Sequence, residues 1–227
     1  MKISEIFYSI QGEGALVGVP SVFIRTSGCN LRCTWCDTPY ASWHPEGEDL
    51  SIDEIAANPE LSRATHVVIT GGEPMIAPEL VRLTRILHDA RLHITIETAG
   101  TVYAPVECDL MSISPKLSNS VPHEREGGKW AAQHDRLRYQ PEVLKRLTDE
   151  YAYQLKFVVT SPGDLEEIAE IRNHLSAEPA RIVLMPEGTT RELLRERGLW
   201  LAEVCKTRGY RYSPRLHIDL WGDRRGV

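Results

Sequence analysis

Short apolar runs alternating with segments of helical apolar spacing constrain this chain more than any other feature. Val22-Phe23-Ile24, Val67-Val68-Ile69, Ile94-Thr95-Ile96, Leu110 to Ile113, Phe157-Val158-Val159 and Ile182-Val183-Leu184 read as six strands. Ser51 is placed to cap a helix from Ile52, with Asp53 and Glu54 in its first turn. Ile76, Leu80, Leu83 and Leu87 fall on one helical face; Val143, Leu144 and Leu147 on a second; Ile168, Ile171 and Leu175 on a third. Leu193, Leu194, Trp200, Leu201 and Val204 mark the last long helix, and Arg211 to Leu220 reads as extended. Such alternation winds into right-handed units around a mostly parallel sheet. Six strands are too few for an eightfold barrel. The expected fold is α/β, an open or partial parallel β/α barrel of about six strands with a reduced helix complement. Its ligands should gather at the C-terminal strand ends. Residues 1–227 fit a single domain. The polar stretch 117–139, with Gly127-Gly128, breaks the alternation as a loop or lid insertion.

A formal net charge of −6 argues against a broad basic face for nucleic acid. No segment approaches the roughly 18 apolar residues of a membrane span. The N-terminus carries Glu5 and no unbroken apolar stretch, unlike a signal peptide. A cytoplasmic protein is expected, where thiols stay reduced and clustered cysteines more often bind metal than pair.

Cys29-Asn-Leu-Arg-Cys33-Thr-Trp-Cys36 follows the first of these strands and sets three thiols at C-x3-C-x2-C spacing. Soft thiolates suit zinc or an iron–sulfur cluster. A structural zinc would want a fourth ligand, for which His44 is nearest in sequence. A four-iron cluster on three cysteines leaves one iron free to bind a small molecule. Cys108 and Cys205 lie far off and read as ordinary core cysteines.

The cysteine loop, with Gly71-Gly72-Glu73-Pro74 after the next strand, resembles the radical S-adenosylmethionine superfamily. The resemblance implies a [4Fe-4S] cluster on Cys29, Cys33 and Cys36, whose open iron chelates S-adenosylmethionine. One-electron cleavage of that cofactor then yields a radical that abstracts hydrogen from substrate. By position, Gly72 and Glu73 would meet the cofactor's methionine part, with Gly71 and Gly72 allowing close approach. Trp35, Cys36 and Asp37 would lie near its adenine.

Gln11-Gly12-Glu13-Gly14, Cys36-Asp37-Thr38 and Tyr212-Ser-Pro-Arg215-Leu-His217 narrow the likeness. Together they resemble the 7-carboxy-7-deazaguanine synthase family, over nearly the whole chain. That family is a lyase of the pathway to queuosine-type bases. It converts 6-carboxy-5,6,7,8-tetrahydropterin to 7-carboxy-7-deazaguanine with loss of ammonia and uses Mg2+. The resemblance implies pterin contacts from Ile10, Gln11, Gly12, Glu13, Arg25, Thr70 and His217, with Arg25 clamping the carboxylate. Thr38 would give a hard oxygen to Mg2+. Glu97, Ser114, Pro115 and Lys116, and then Met185, Pro186 and Glu187, would contact the cofactor. Lys156, inside a strand, reads as a snorkelling lysine. A homodimer and a one-electron donor such as flavodoxin are also implied. The chain departs from the family pattern at Ala99, where many members have Asn, at Met185, where others have Gln, and in continuing past His217 to Val227. Two other readings compete: a glycyl-radical activase, and a non-catalytic zinc or iron–sulfur module.

Overall fold

Side chains in a strand point alternately to opposite faces, so each apolar run makes a strip with two different sides. The computed structural model describes all residues, 1–227. In chain order it contains β1 (Lys2–Ile10), β2 (Pro20–Thr26), α1 (Pro39–Ser42), β3 (Glu48–Asp49), α2 (Ile52–Ala56) and β4 (His66–Gly71). Then come α3 (Leu80–Asp89), β5 (His93–Thr98), β6 (Leu110–Ile113), α4 (Ala131–Arg138), α5 (Pro141–Glu150) and β7 (Tyr153–Val159). The chain closes with α6 (Asp164–His174), β8 (Ile182–Pro186), α7 (Arg191–Arg208), β9 (Arg211–Tyr212) and α8 (Leu216–Trp221). All nine strands form one sheet, ordered β3-β1-β2-β4-β5-β6-β7-β8-β9. From β2 to β9 every pairing is parallel; β1 and β3 add antiparallel strands at one edge. The six expected strands are thus the parallel centre of an open partial barrel. No helix intervenes between β5 and β6, which accounts for part of the reduced helix complement.

One face of the parallel strands is apolar. Ile24, Ile69, Ile96, Ile113, Phe157 and Leu184 are fully buried in a core shared with Leu83, Leu87, Leu144, Ile168 and Leu201 of the helices. The neighbours at alternate positions point to the concave side and are largely polar: Arg25, Thr70, Glu97, Ser112, Gln154 and Lys156. The barrel interior is therefore a polar chamber, while burial of the helix-facing side supplies the main driving force for folding.

Three expectations need correction. β1 went unread because its residues neither alternate cleanly nor form an apolar run; its burial is mostly intermediate, typical of a strand near a sheet edge. Only Arg211–Tyr212 is extended; Leu216–Trp221 is helical, turned by Pro214 and Arg215. Ile76 lies in a 3-10 turn ahead of α3 and is exposed, so the helix starts at Leu80. The Ser51 cap is borne out as a capping box: Ser51 Oγ accepts from the Glu54 N–H, and the Glu54 carboxylate accepts from Ser51 N–H. Residues 117–139 are folded, with two 3-10 turns and α4, and Ser120, Val121 and His134 are buried.

Gly71 and Gly72 end β4 hard against the loop that follows β2. A Cβ at Gly71 would fall 2.1 Å from the Thr26 carbonyl oxygen, and one at Gly72 1.9 Å from that of Gly28. These are contacts with the chain's own backbone, where the motif had suggested room for a bound methionine. Gly72→Ala forces two backbone segments apart and should destabilise the fold by about 3 kcal/mol. Thermal unfolding by circular dichroism measures this; an unchanged midpoint would refute the packing role.

Candidate active site

A cavity of about 270 Å3 opens at the C-terminal ends of the parallel strands. Its wall includes Cys29, Cys33 and Cys36 from the loop after β2, Ile10 from the end of β1, and Gln11, Gly12 and Glu13 from the loop that follows it. Arg25, Thr70, Glu97 and Met185 reach it from strand ends, and Ser114 and Lys116 from the turn after β6. Trp35, Asp37, Thr38, Gly72 and His217 complete the set of expected residues that the fold brings together here.

The three thiols occupy one end. Burial, reinforced by Glu73, pushes Cys29 up to about 12, and burial pushes Cys33 up as well. Such thiols ionise readily only when a metal's positive charge faces them. No three His, Cys, Asp or Glu side chains converge closely enough for a single ion. His44 is exposed and outside the cavity wall. A soft, three-thiol set spread around one cavity fits a multi-iron cluster better than a mononuclear zinc. Lys116 donates to Ser114 Oγ at 2.8 Å and lies 5.6 Å from the Trp35 ring centre, a cation beside this end. Thr38 Oγ1 lies 3.8 Å from Cys36 Sγ and offers a hard oxygen on the cavity wall.

The other end is charged. Lys156 is buried on the inner face of β7 and holds Glu13 at 2.5 Å, with Glu97 at 3.8 Å. Arg215, also buried, donates to Glu13 at 3.1 Å, to the Gly188 carbonyl at 2.7 Å, and to Asp37. Burial alone would push Glu13 up; Lys156, Arg215 and His217 outweigh it and hold the carboxyl far below its ordinary range. Burial opposes the charge on Lys156 and Arg215, but their carboxylate partners raise both. His217 is lowered by burial, against the pull of Glu13 4.0 Å away. Gln11 donates to Glu97 at 3.2 Å and accepts from the Glu13 N–H at 3.1 Å; Thr70 donates to Glu97 at 2.8 Å. The loop itself is pinned from elsewhere: Gln154 accepts from Ala15 N–H at 2.8 Å, and Ser213 Oγ from Gly14 N–H at 2.7 Å. A Cβ at Gly12 would meet His217 Nδ1 at 2.2 Å, so only glycine lets the imidazole lie over this turn.

Several residues stand differently from expectation. Glu73 is buried outside the cavity wall and accepts from Thr98 Oγ1 at 2.7 Å, Ala99 N–H at 2.8 Å and Met75 N–H at 3.1 Å. These three bonds brace the turn, two on Oε1 and one on Oε2. Pro115, Pro186 and Glu187 also lie outside the wall; Glu187 pairs with Arg197 of α7 instead. Glu97 is hydrogen-bonded to Gln11 and Thr70, two of the pterin-assigned residues. Lys156 does not snorkel, because two carboxylates inside the barrel hold it there. Arg215 stands in the Tyr212 to His217 segment, but nothing local gave it a role; Gln154 carried no local signal. Arg25 is already paired with Glu5 at 2.6 Å, and Glu5 also takes Arg225 at 3.3 Å. The tail past His217 folds back, so that Arg225, Gly226 and Val227 line the cavity beside Arg25.

Residues 23–117 match the model of the Radical SAM superfamily. The chain is 46% identical to the 7-carboxy-7-deazaguanine synthase of Halobacterium salinarum, over 98% of this chain and 91% of that one. It is 47% identical to the 7-carboxy-7-deazaguanine synthase of Rhodopirellula baltica, over 100% and 89%. The chain belongs to the 7-carboxy-7-deazaguanine synthase family. The crystal structure of QueE from Escherichia coli superposes with a TM-score of 0.68 at 30% identity, covering 95% of this chain and 94% of that one. As a radical S-adenosylmethionine family, the synthases work with a [4Fe-4S] cluster and S-adenosylmethionine. In this member Ala99 gives Glu73 a backbone N–H, so the turn is braced without an Asn side chain. Met185 lines the cavity with a thioether and no amide.

Proposed function

We propose that the chain converts 6-carboxy-5,6,7,8-tetrahydropterin to 7-carboxy-7-deazaguanine with release of ammonia. The observation that carries this reading is the shared cavity: three thiols at one end, a carboxylate–amide cradle at the other. When bound, the cluster and S-adenosylmethionine supply one-electron cleavage and hydrogen abstraction. The chain's own residues bind and orient. Gln11, Glu13 and Glu97 offer acceptors to the amide and amino groups of a pterin edge. Lys156 and Arg215 keep the Glu13 carboxylate ionised. Arg25 faces the substrate carboxylate, with Glu5 fixing its orientation from behind. Thr38 contributes an oxygen to Mg2+, and Ser114 and Lys116 face the cofactor's ribose and carboxylate. Trp35 and Asp37 flank the adenine. A homodimer, a flavodoxin-type donor and a reducing cytoplasmic setting complete the proposal; no helix is long and apolar enough to cross a membrane.

The test is anaerobic. The reconstituted, reduced protein is given S-adenosylmethionine, Mg2+ and the tetrahydropterin, and product is followed by mass and ultraviolet absorbance. Formation of 7-carboxy-7-deazaguanine is expected. 5′-Deoxyadenosine without that product would overturn the substrate and favour an activase. Arg25→Ala should raise the pterin KM about 100-fold, the usual scale for a lost charge-assisted contact of 2–3 kcal/mol. It should leave pterin-independent cofactor cleavage unchanged. Unaltered pterin affinity would remove Arg25 from the substrate.

A further inference from the structure

The segment 118–134 satisfies the backbone of the cysteine loop from outside the cavity. Arg32 N–H donates to His134 Nδ1 at 3.0 Å, and Thr34 N–H to the Ser120 carbonyl at 2.8 Å. Arg125 donates to the Thr34 carbonyl at 3.0 Å, and Trp35 Nε1 to the Asn119 carbonyl at 3.1 Å. His134 is 1% exposed, and its ring has one tautomer open to it. Nδ1 must accept from Arg32. Ser120 Oγ spends its own hydrogen on the Leu117 carbonyl at 2.6 Å, so it can only accept from His134 Nε2–H at 2.9 Å. A relay of fixed polarity therefore runs from Arg32 through His134 and Ser120 to Leu117.

Amides beside metal-binding cysteines commonly donate to sulfur, and such bonds tune a cluster's potential. In this loop Leu31 N–H points at Cys29 Sγ, 3.3 Å away, and Cys36 N–H at the Cys33 carbonyl. The amides on either side of Cys33's immediate neighbourhood, Arg32 and Thr34, are turned away to the segment. We infer that His134 is a positioning residue for the metal site: with Ser120 it shapes the cysteine loop before metal binds and withholds the Arg32 and Thr34 amides from the sulfurs. The inference rests on Cys29, Cys33 and Cys36 holding the cluster.

Two replacements separate the ring's two bonds. In His134→Asn the amide oxygen can stand near Nδ1 and accept from Arg32. In His134→Gln the terminal amide reaches only the Nε2 position. Each reconstituted protein, with His134→Ala, is titrated with an iron chelator and its midpoint potential is followed by electron paramagnetic resonance. His134→Ala should lose iron at about 10- to 100-fold lower chelator concentration, the usual range for partners of metal ligands. Its potential should move to a less negative value as the freed amide turns to sulfur. His134→Asn should restore both properties and His134→Gln neither. Wild-type retention and potential in His134→Ala, or rescue by His134→Gln alone, would overturn the inference. Should the variants unfold, hydrogen exchange of the unaltered metal-free protein decides: slow Arg32 and Thr34 amides support the clamp, and exchange at unprotected rates refutes it. A wild-type protein that takes up no iron would fail the cluster reading itself, which is a different result.

Discussion

Cys33→Ala should yield a folded protein that holds less than about a tenth of the wild-type iron and sulfide and forms no 5′-deoxyadenosine, since two thiolates cannot retain a four-iron cluster. The fold should survive. The Cys33 side chain is small, and the contact that ties this residue to its surroundings is main-chain: Trp43 Nε1 donates to its carbonyl at 3.0 Å. Alanine keeps that bond. Cys108→Ala is the matched control, since Cys108 packs against the helix-side core away from the cavity. It should load a full cluster. Iron and sulfide assays after anaerobic reconstitution measure both, and a fully loaded Cys33→Ala protein would sink the ligand assignment.

Lys156→Met should be the most damaging change at the substrate end. It removes the strongest attraction that holds Glu13 ionised and leaves Glu13 and Glu97, both half-buried, without their shared counter-ion, although Arg215 stays on Glu13. Breaking a fully buried pair from one side costs about 3–5 kcal/mol; with Arg215 still on Glu13 the loss here should be about 2–3 kcal/mol. Denaturant unfolding of the metal-free protein should show that loss. Lys156→Met with Glu13→Gln should recover most of it but not turnover, since the anionic acceptor that Glu13 presents to the pterin is gone. Equal stability of the single variant and wild type would refute the charge role. The pH behaviour follows from the same groups. Glu13 is depressed below its ordinary 4.5, so its contribution is fully present above that value and is lost as pH falls beneath it. Lys156 is raised above 10.5, so its contribution is complete below that pH and is lost only as pH climbs past its folded value. With Met at 156, burial pushes Glu13 upward, and the acid limb of kcat/KM should move to higher pH.

The helix-side core, the strand order of motifs and the cysteine loop are local properties, and these were legible. Short apolar runs and period-3.6 helices are written in residue type, so the six parallel strands and the Ser51 cap are readable locally. Three thiols within eight residues can be no more than about 25 Å apart in any fold. The concave face is where legibility fails. Lys156 in Leu155-Lys-Phe157 looks like a charge escaping to solvent until Glu13, 143 residues away, and Glu97 are brought to it. Arg215 meets Glu13 across 202 positions and Asp37 across 178, and no spacing rule reaches so far. Glu73 adds a partner set that its motif does not show: it accepts from Thr98 and Ala99, 25 and 26 residues on.

The sequence alone therefore determined the repeating units, the parallel strands at their centre, and the three thiols that could hold a metal cluster. Those depend on neighbours in the chain and on hydrophobic burial, which is non-directional and insensitive to partner identity. Tertiary structure decided which polar groups of the chamber are paired, which remain turned to a ligand, and that residues 118–134 close on the cysteine loop. Hydrogen bonds and ion pairs depend on distance and direction at the scale of an ångström, and only the closed barrel sets those.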